Sequence, residues 1–212
     1  MKQTLLAACC GLTLVCGWTA HAQNSESLGI ADDQAESMNK LDMLVGKAQK
    51  RLEYIMTNLN DLTDGDDKNN SFDKFKDNLE DLTSIREDIK DRAQKVRDLQ
   101  GKRMAAWDNE VSGISDKEMR KLTADQRDKA KADFDALDRQ MRDLGGDAND
   151  LTGLLGDLKK YFSSSFSADS VNAAKPRIEA AKKSAREMVT SADALRDMIA
   201  KSKKVVKGTV NQ

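Results

Sequence analysis

Apolar residues recur along most of this chain at alternating steps of three and four, and they fall into four successive stripes. The stripes occupy residues 38–62, 72–99, 134–162 and 171–199, and the second is the least regular. Steps of three and four place side chains on one face of an α-helix, whereas a half-buried strand needs alternation by two. The pattern therefore predicts an all-α protein.

Further apolar residues flank the stripes and widen each buried face. Leu44 and Met56 do so in the first stripe, and Val189 and Met198 in the last. A face of that width favours several helices sharing one core over a two-stranded coil. We predict an elongated antiparallel bundle of about four long helices with coiled-coil packing. The helices are expected near residues 32–63, 71–112, 116–162 and 168–203.

Polar segments between the stripes predict where the helices end. The run 64–69 resembles a turn, and residues 70–71 (Asn-Ser) are expected to cap the second helix. Residues 115–118 (Ser-Asp-Lys-Glu) have the spacing of a capping box, with Ile114 and Met119 placed as its hydrophobic staple. The third helix is expected to begin at this box.

The third stripe contains four glycines, each unfavourable inside a helix by about 0.5–1 kcal/mol relative to alanine. We predict a kink or a close helix approach there, with a functional hinge as the alternative. The serine-rich residues 163–167 separate the third helix from the fourth, where Pro176 marks a first turn or bends a helix begun near Ala168. The four glycines are Gly145, Gly146, Gly153 and Gly156.

The first 22 residues have the layout of a secretory signal peptide. A positive start precedes an apolar run over residues 5–15, and Ala20-His21-Ala22 is a small-x-small cleavage pattern. We expect cleavage between Ala22 and Gln23, export to the periplasm or beyond, and a single helical domain over 23–212. The apolar run is too short to span a bilayer. The less favoured alternative is a lipoprotein box that would leave a lipid on Cys9.

Removal of this peptide would leave a mature chain without cysteine or histidine, because all three cysteines and His21 precede Gln23. Disulfides, thiolate nucleophiles, imidazole bases and Cys/His zinc sites are then excluded. The mature net charge of −2 gives no bulk attraction to nucleic acid. Charged residues make up 33% of the chain and aromatic residues 4%, a composition typical of long polar helices.

Carboxylates are abundant but show no catalytic or metal-binding spacing. The acidic loop 64–70 lacks the glycine and glutamate positions of a calcium hand, so a solvated turn is favoured over a weak divalent site. Neighbouring acids such as those at 80–81 point about 100° apart on a helix. We expect i,i+4 ion pairs instead. For Trp107 we expect core packing, with contact to a partner as the alternative. The expected pairs are Asp88 with Arg92, Asp91 with Lys95, and Asp138 with Arg142.

One part of the sequence is similar to a known family. Its first part is the run Trp107-x-x-Glu110-Val111-x-x-Ile114-Ser115-Asp116-x-x-Met119-Arg120. Its second part is Asp157-x-x-x-Tyr161-Phe162, which leads into Ala168-x-x-Val171. Both parts resemble the exported coiled-coil proteins of Gram-negative bacteria called domain of unknown function 2959. The resemblance covers about 107–199. The chain departs from that pattern at Asp150, where a proline is expected, and at residues 163–165. The resemblance implies export and a helical bundle, and it supplies no active-site residues.

These observations predict a non-enzymatic exported protein with no catalytic, cofactor-binding or metal-binding residues. The leading hypothesis is a scaffold, spacer or assembly factor that contacts another envelope protein or a second copy of itself, and not nucleic acid. The alternative is a carrier of a lipid or other hydrophobic ligand, whose bundle opens at the Gly145–Gly156 helix and whose methionines adapt to the guest. A carboxylate or metal-assisted enzyme is a remote third. The methionines are Met38, Met43, Met56, Met141, Met188 and Met198.

Overall fold

The computed structural model describes the backbone of residues 20–208 and the side chains of residues 29–206. The predicted signal peptide and Cys9 lie almost wholly outside this range, and the predicted cleavage site falls where only backbone is described. Four helices account for nearly all of the described chain. They are α1 (Ala20–Asp64), α2 (Lys68–Gly113), α3 (Lys117–Ser164) and α4 (Ala168–Gly208).

The helices form a closed ring of four, in which each packs against two neighbours. Helix α1 packs on α2 and α4, and α3 packs on the same two helices from the other side. Because the connections at 65–67, 114–116 and 165–167 are three residues long, consecutive helices run antiparallel. At about 1.5 Å per residue, the 48 residues of α3 extend about 72 Å. The predicted elongated antiparallel four-helix bundle is confirmed.

The four stripes pack against one another inside one chain. Every member of the first, third and fourth stripes is buried, and together with most of the second stripe they form one continuous core. The exceptions in α2 are Ile85 and Ile89, which are only partly buried, and Leu99, which is buried outside the continuous core. Burial of apolar surface on this scale is what stabilises helices whose exposed faces are mostly charged.

Helix α1 begins earlier than the predicted start near residue 32. Ala31 and Ala35 continue the apolar face of α1 and pack with Val206 near the end of α4. Gln34 lies between them on the same helix and is also buried. This small second cluster extends the buried face of α1 upstream of Met38, the first residue of the first stripe.

Two predicted helix caps are displaced along the chain. Asp67, not residues 70–71, caps α2, and its carboxylate accepts a hydrogen bond from the Asn70 amide at 3.1 Å. Asp116, not Ser115, caps α3, and it accepts from the Met119 amide at 2.8 Å. The predicted box and staple are therefore wrong, since aspartate captures the free amides one position later and Met119 is exposed. Gly65 is required in the first turn, because a Cβ there would lie 2.6 Å from the Asp61 carbonyl oxygen.

The break predicted at residues 163–167 is confirmed, and a reciprocal pair of serines starts α4. Ser170 donates its amide to the Ser167 hydroxyl at 3.1 Å, and Ser167 donates its amide to the Ser170 hydroxyl at 2.9 Å. Helix α4 begins at Ala168 and contains Pro176 in its interior, so the proline does not mark its first turn.

Four of the five phenylalanines gather where the α1–α2 and α3–α4 connections meet, and we call this cluster the aromatic end (Phe72, Phe75, Phe162 and Phe166). Phe72 stacks on Phe166 with ring centroids 5.1 Å apart, and Phe162 meets both rings edge-on at 5.8 Å. Edge-to-face and offset stacking at such distances adds about 0.5–1.5 kcal/mol per pair beyond area burial. The short serine-rich connection therefore lies over a densely packed cluster.

Candidate functional site

A cavity of about 490 Å³ lies in the middle of the bundle, and we call it the central cavity. All four helices line it, through residues 41–52 of α1, 82–97 of α2, 141–152 of α3 and 188–195 of α4. Small-molecule sites in proteins occupy about 300–1,000 Å³ and are lined mainly by apolar side chains. The volume and the lining of the central cavity fit that description.

Small residues at core positions create this space. Each helix contributes one buried alanine to the lining: Ala48, Ala93, Ala148 and Ala192. These positions belong to the stripes, in which most of the other core positions carry larger side chains. Because protein interiors are close-packed, a set of short side chains facing one another leaves a void unless larger neighbours fill it.

The cavity opens to solvent between α2 and α3. Every lining residue from α1 and α4 is buried, whereas the exposed lining residues belong to α2 and α3. The α1–α4 side is tied by Gln49, which donates to the Asp193 carboxylate at 2.8 Å, and by Arg196, which donates to Asp42 at 2.8 Å. The less regular second stripe, with Ile85 and Ile89 only partly buried, runs along the open side.

Charged side chains surround this opening, and we call them the mouth (Arg86, Glu87, Lys90, Arg97 and Arg142). Arg86 spans the opening from α2 and donates to the Thr152 hydroxyl at 2.8 Å and to the Asn149 side chain at 3.1 Å. It also bonds Glu87 at 2.9 Å. The hydrogen bond from Arg86, with the nearby charge of Lys90, lowers the pKa of Glu87, which therefore stays ionised.

Asp138 pairs with two of the cationic residues of the mouth, Arg97 and Arg142. It is 8% exposed, accepts from Arg97 Nε of α2 at 2.6 Å, and also binds Arg142 one turn along α3. Burial raises the pKa of Asp138, but the hydrogen bonds and charges of Arg97 and Arg142 outweigh burial, so its pKa lies below the ordinary value. Of the three predicted i,i+4 pairs, only Asp138 with Arg142 forms.

Two of the four predicted special glycines belong to this opening. Gly145 and Gly146 line the central cavity, whereas Gly153 and Gly156 do not. A Cβ at any of the four would have no heavy atom within 4 Å, and α3 continues unbroken through all of them. The predicted close helix approach is therefore wrong, because the glycines face open space. Gly145 and Gly146 place no side chain in the opening of the central cavity.

Two of the six methionines that were expected to adapt to a hydrophobic ligand lie at the central cavity. Met141 and Met188 line it, but Met38, Met43, Met56 and Met198 do not. Met141 and Met188 are unbranched and polarisable, so they can adapt to guests of different shapes. Among the residues with described side chains, no group of three or more carboxylates, histidines or cysteines is placed to hold a metal ion.

A second polar cluster lies towards the start of α1, and no motif in the sequence indicates it. Gln34 donates to Gln100 at 2.7 Å and accepts from Arg103 at 3.4 Å, and all three side chains are buried. Burial lowers the pKa of Arg103, whose guanidinium lies over the Trp107 ring at 5.3 Å. Trp107 is buried, as predicted. Buried polar groups of this kind fix which helix faces meet.

The α2–α3 hairpin carries exposed apolar residues beyond this polar cluster. Met119 is 56% exposed and Leu122 is 57% exposed, both in the first turns of α3. Val206 of α4 and Ala130 of α3 line one small recess, so the first turns of α3 extend past that part of α4. Met119 and Leu122 are among several large apolar side chains exposed in the described part of the chain, and Met43 of α1, at 61% exposed, is another.

Comparison with known families identifies the chain. The model of the family described as protein of unknown function (DUF2959) matches residues 28–208. A search of curated proteins finds no match. No helix in the described part of the chain is both long and apolar enough to cross a membrane. The match covers more of the chain than the resemblance over 107–199 and reaches all four helices, so this protein belongs to the DUF2959 family.

Proposed function

We propose that this protein is an exported, non-enzymatic carrier that binds a hydrophobic ligand in the central cavity. The observation that carries the proposal is the cavity itself: about 490 Å³, lined by one alanine from each helix and open on one side. Leucine could fill part of this space without loss of stability, so packing alone does not account for the alanines, and this favours a use for the space.

The packing of the stripes supports the carrier over a scaffold that acts through an unpaired stripe. The four stripes bury one another within one chain, which leaves no stripe as an obvious interface. A carrier needs a closed bundle with one weak side, and α2 packs least extensively against α3. Separation of those two helices would widen the opening without disturbing the tied α1–α4 side.

Binding is tested with delipidated mature protein and a fluorescent fatty acid. We expect saturable uptake of about one ligand per chain, and loss of uptake in Ala192→Leu, whose added atoms occupy the central cavity. Ala194→Leu is the matched control, since residue 194 lies two positions along α4 on the exposed side. Absence of uptake, or equal uptake by both variants, would refute the carrier.

Export is supported by the signal-peptide pattern alone. The expected mature chain begins at Gln23 and lacks cysteine and histidine. Mass measurement of protein recovered from the periplasm of an expressing Gram-negative host tests this directly. An intact chain retained in the cytoplasm, or a lipid-modified chain beginning at Cys9, would contradict the proposal.

A second candidate function is protein contact through the hairpin end, and exposed Met119 and Leu122 favour it. Large apolar side chains exposed together often mark interaction surfaces. Self-association is the simplest form of this contact. Light scattering of the mature protein would then show a dimer that Leu122→Asp converts to a monomer. A monomer in both proteins would count against self-association and favour the carrier.

A further inference from the structure

The charges around the mouth are not balanced. Four cationic side chains border the opening: Arg86, Lys90, Arg97 and Arg142. Two carboxylates neutralise them in pairs. Glu87 is shared by Arg86 and Lys90, and Asp138 is shared by Arg97 and Arg142. One positive charge remains on each side of the opening.

The four cations differ in how firmly they are held. Arg86 is fixed by three partners on two helices, and Arg97 bridges α2 and α3. Lys90 is 76% exposed and reaches Glu87 only at 3.5 Å, and Arg142 is 68% exposed. The last two can therefore turn towards a ligand without breaking the contacts between helices, because Arg86 and Arg97 keep the two carboxylates paired.

The apolar interior and the charged residues at its opening together fit an amphiphilic ligand, which has an apolar part and a charged part. The lining of α2 from Leu82 to Arg97 corresponds to about 22 Å of helix, a length comparable to an extended long acyl chain. Guanidinium and ammonium groups form their strongest hydrogen bonds with carboxylate and phosphate oxygens. We propose that the ligand is a single-chain anionic amphiphile, with its alkyl chain in the central cavity and its head group bound by Lys90 and Arg142.

This inference rests on the proposed carrier function and adds the chemistry of the head group. Three probes with the same alkyl chain separate the two ideas: laurate, dodecyl phosphate and dodecanol, each titrated into delipidated mature protein by calorimetry. We expect laurate or dodecyl phosphate to bind at least tenfold more tightly than dodecanol. The tighter of the two anions then distinguishes a fatty-acid source from a phospholipid-like one.

Charge-removing variants locate the head group. Lys90→Gln and Arg142→Gln are each expected to weaken binding of the preferred anion about three- to tenfold and to leave dodecanol binding unchanged. Lys160→Gln is the matched control, because Lys160 is an exposed lysine of α3 outside the cavity lining. Unchanged dodecanol binding also shows that each variant is folded. Added salt is expected to weaken the binding of laurate and dodecyl phosphate and to leave the binding of dodecanol unchanged.

The outcomes separate the two proposals. Equal affinity for the anions and dodecanol, or variants that bind all probes as the parent does, would overturn anionic recognition and leave the carrier standing. Failure of all three probes to bind would overturn the carrier itself.

Discussion

The aromatic end and the central cavity are two stretches of one core that solve the packing problem differently. At the aromatic end, Phe72, Phe162 and Phe166 fill the space with rings 5.1–5.8 Å apart. At the central cavity, alanines occupy equivalent stripe positions and leave about 490 Å³ unfilled. Both stretches obey the same three-and-four spacing, so the periodicity specifies the helices in each but not how well the core is filled.

This difference indicates a division of roles along the bundle. Large buried side chains lose both transfer energy and packing contacts when truncated, so stability is expected to concentrate at the aromatic end. The middle gives up packing energy and is held instead by polar bridges such as Arg86 to Thr152 and Arg97 to Asp138. A bundle anchored at one end and loosely packed in the middle suits the proposed carrier.

The largest expected effect comes from emptying the aromatic end. Phe162→Ala removes a fully buried ring in contact with Phe72 and Phe166, and we expect the free energy of unfolding to fall by about 3–5 kcal/mol. Urea denaturation followed by circular dichroism measures this loss. Tyr161→Ala, at the exposed neighbouring position, should cost far less. Equal losses would mean that the aromatic end carries no special share of the stability.

Replacing a buried alanine with leucine should affect stability differently where the core is closely packed and where it borders the central cavity. Ala181 is fully buried outside the cavity lining, whereas Ala192 borders the cavity on the same helix. We expect Ala181→Leu to destabilise the fold by about 1–3 kcal/mol through overpacking. Ala192→Leu should be neutral or stabilising, because its side chain enters existing space. Denaturation midpoints that fall equally in both variants would show that the cavity has no room for leucine.

The polar bridges are expected to contribute less, and in a pH-dependent way. Asp138→Asn should lower the free energy of unfolding at pH 7 by about 1–2 kcal/mol, since Arg97 and Arg142 lose their shared carboxylate. The lowered pKa of Asp138 stabilises the fold above the pKa of an unfolded aspartate, near 3.9. That contribution is lost as the pH falls through the still lower pKa of the folded state.

Denaturation of both proteins across the acid range checks this prediction. The difference between parent and Asp138→Asn should be full at pH 7 and shrink steadily below about pH 4. A difference that stays constant down to pH 2 would assign the effect to packing and not to charge.

The smallest expected effect is a gain in stability when alanine replaces Gly145 or Gly146 beside the opening of the central cavity. A Cβ at Gly145 or Gly146 would contact no other heavy atom within 4 Å, so alanine fits without strain. Each Gly→Ala change should raise the free energy of unfolding by about 0.5–1 kcal/mol, through helix propensity and reduced freedom of the unfolded chain. Gly101→Ala, in an equally open site of α2, is the control for this general gain. A loss at residue 145 or 146 alone would show that α3 needs a glycine there.

Several parts of the fold were predictable because they depend on short-range rules. The stripes predicted four helices and almost all of the core, and the serine-rich segment predicted the last turn. The caps were missed by one to four residues because serine, asparagine and aspartate all cap helices, and the sequence has several candidates beside each turn. Ala31 and Ala35 were not predicted as core residues, because alanines carry a weak apolar signal on their own.

The candidate site was predictable only in outline. Gly145 and Gly146 line the central cavity, but the close helix approach predicted for the four glycines was wrong, because a Cβ at each would face open space. The long-range pairs Arg86 with Thr152 and Arg97 with Asp138 join residues 66 and 41 positions apart, and no sequence pattern connects them. Their partners depend on the register between α2 and α3, which loop length alone does not specify.

The sequence by itself determined the helices, their antiparallel order and the apolar face of each, because helical periodicity and short connections are local properties of the chain. Only the tertiary structure decided that one alanine from each helix would border a common space, and that the space would open beside Lys90 and Arg142. The physical reason is that packing density and charge balance arise between helices, from residues far apart in sequence.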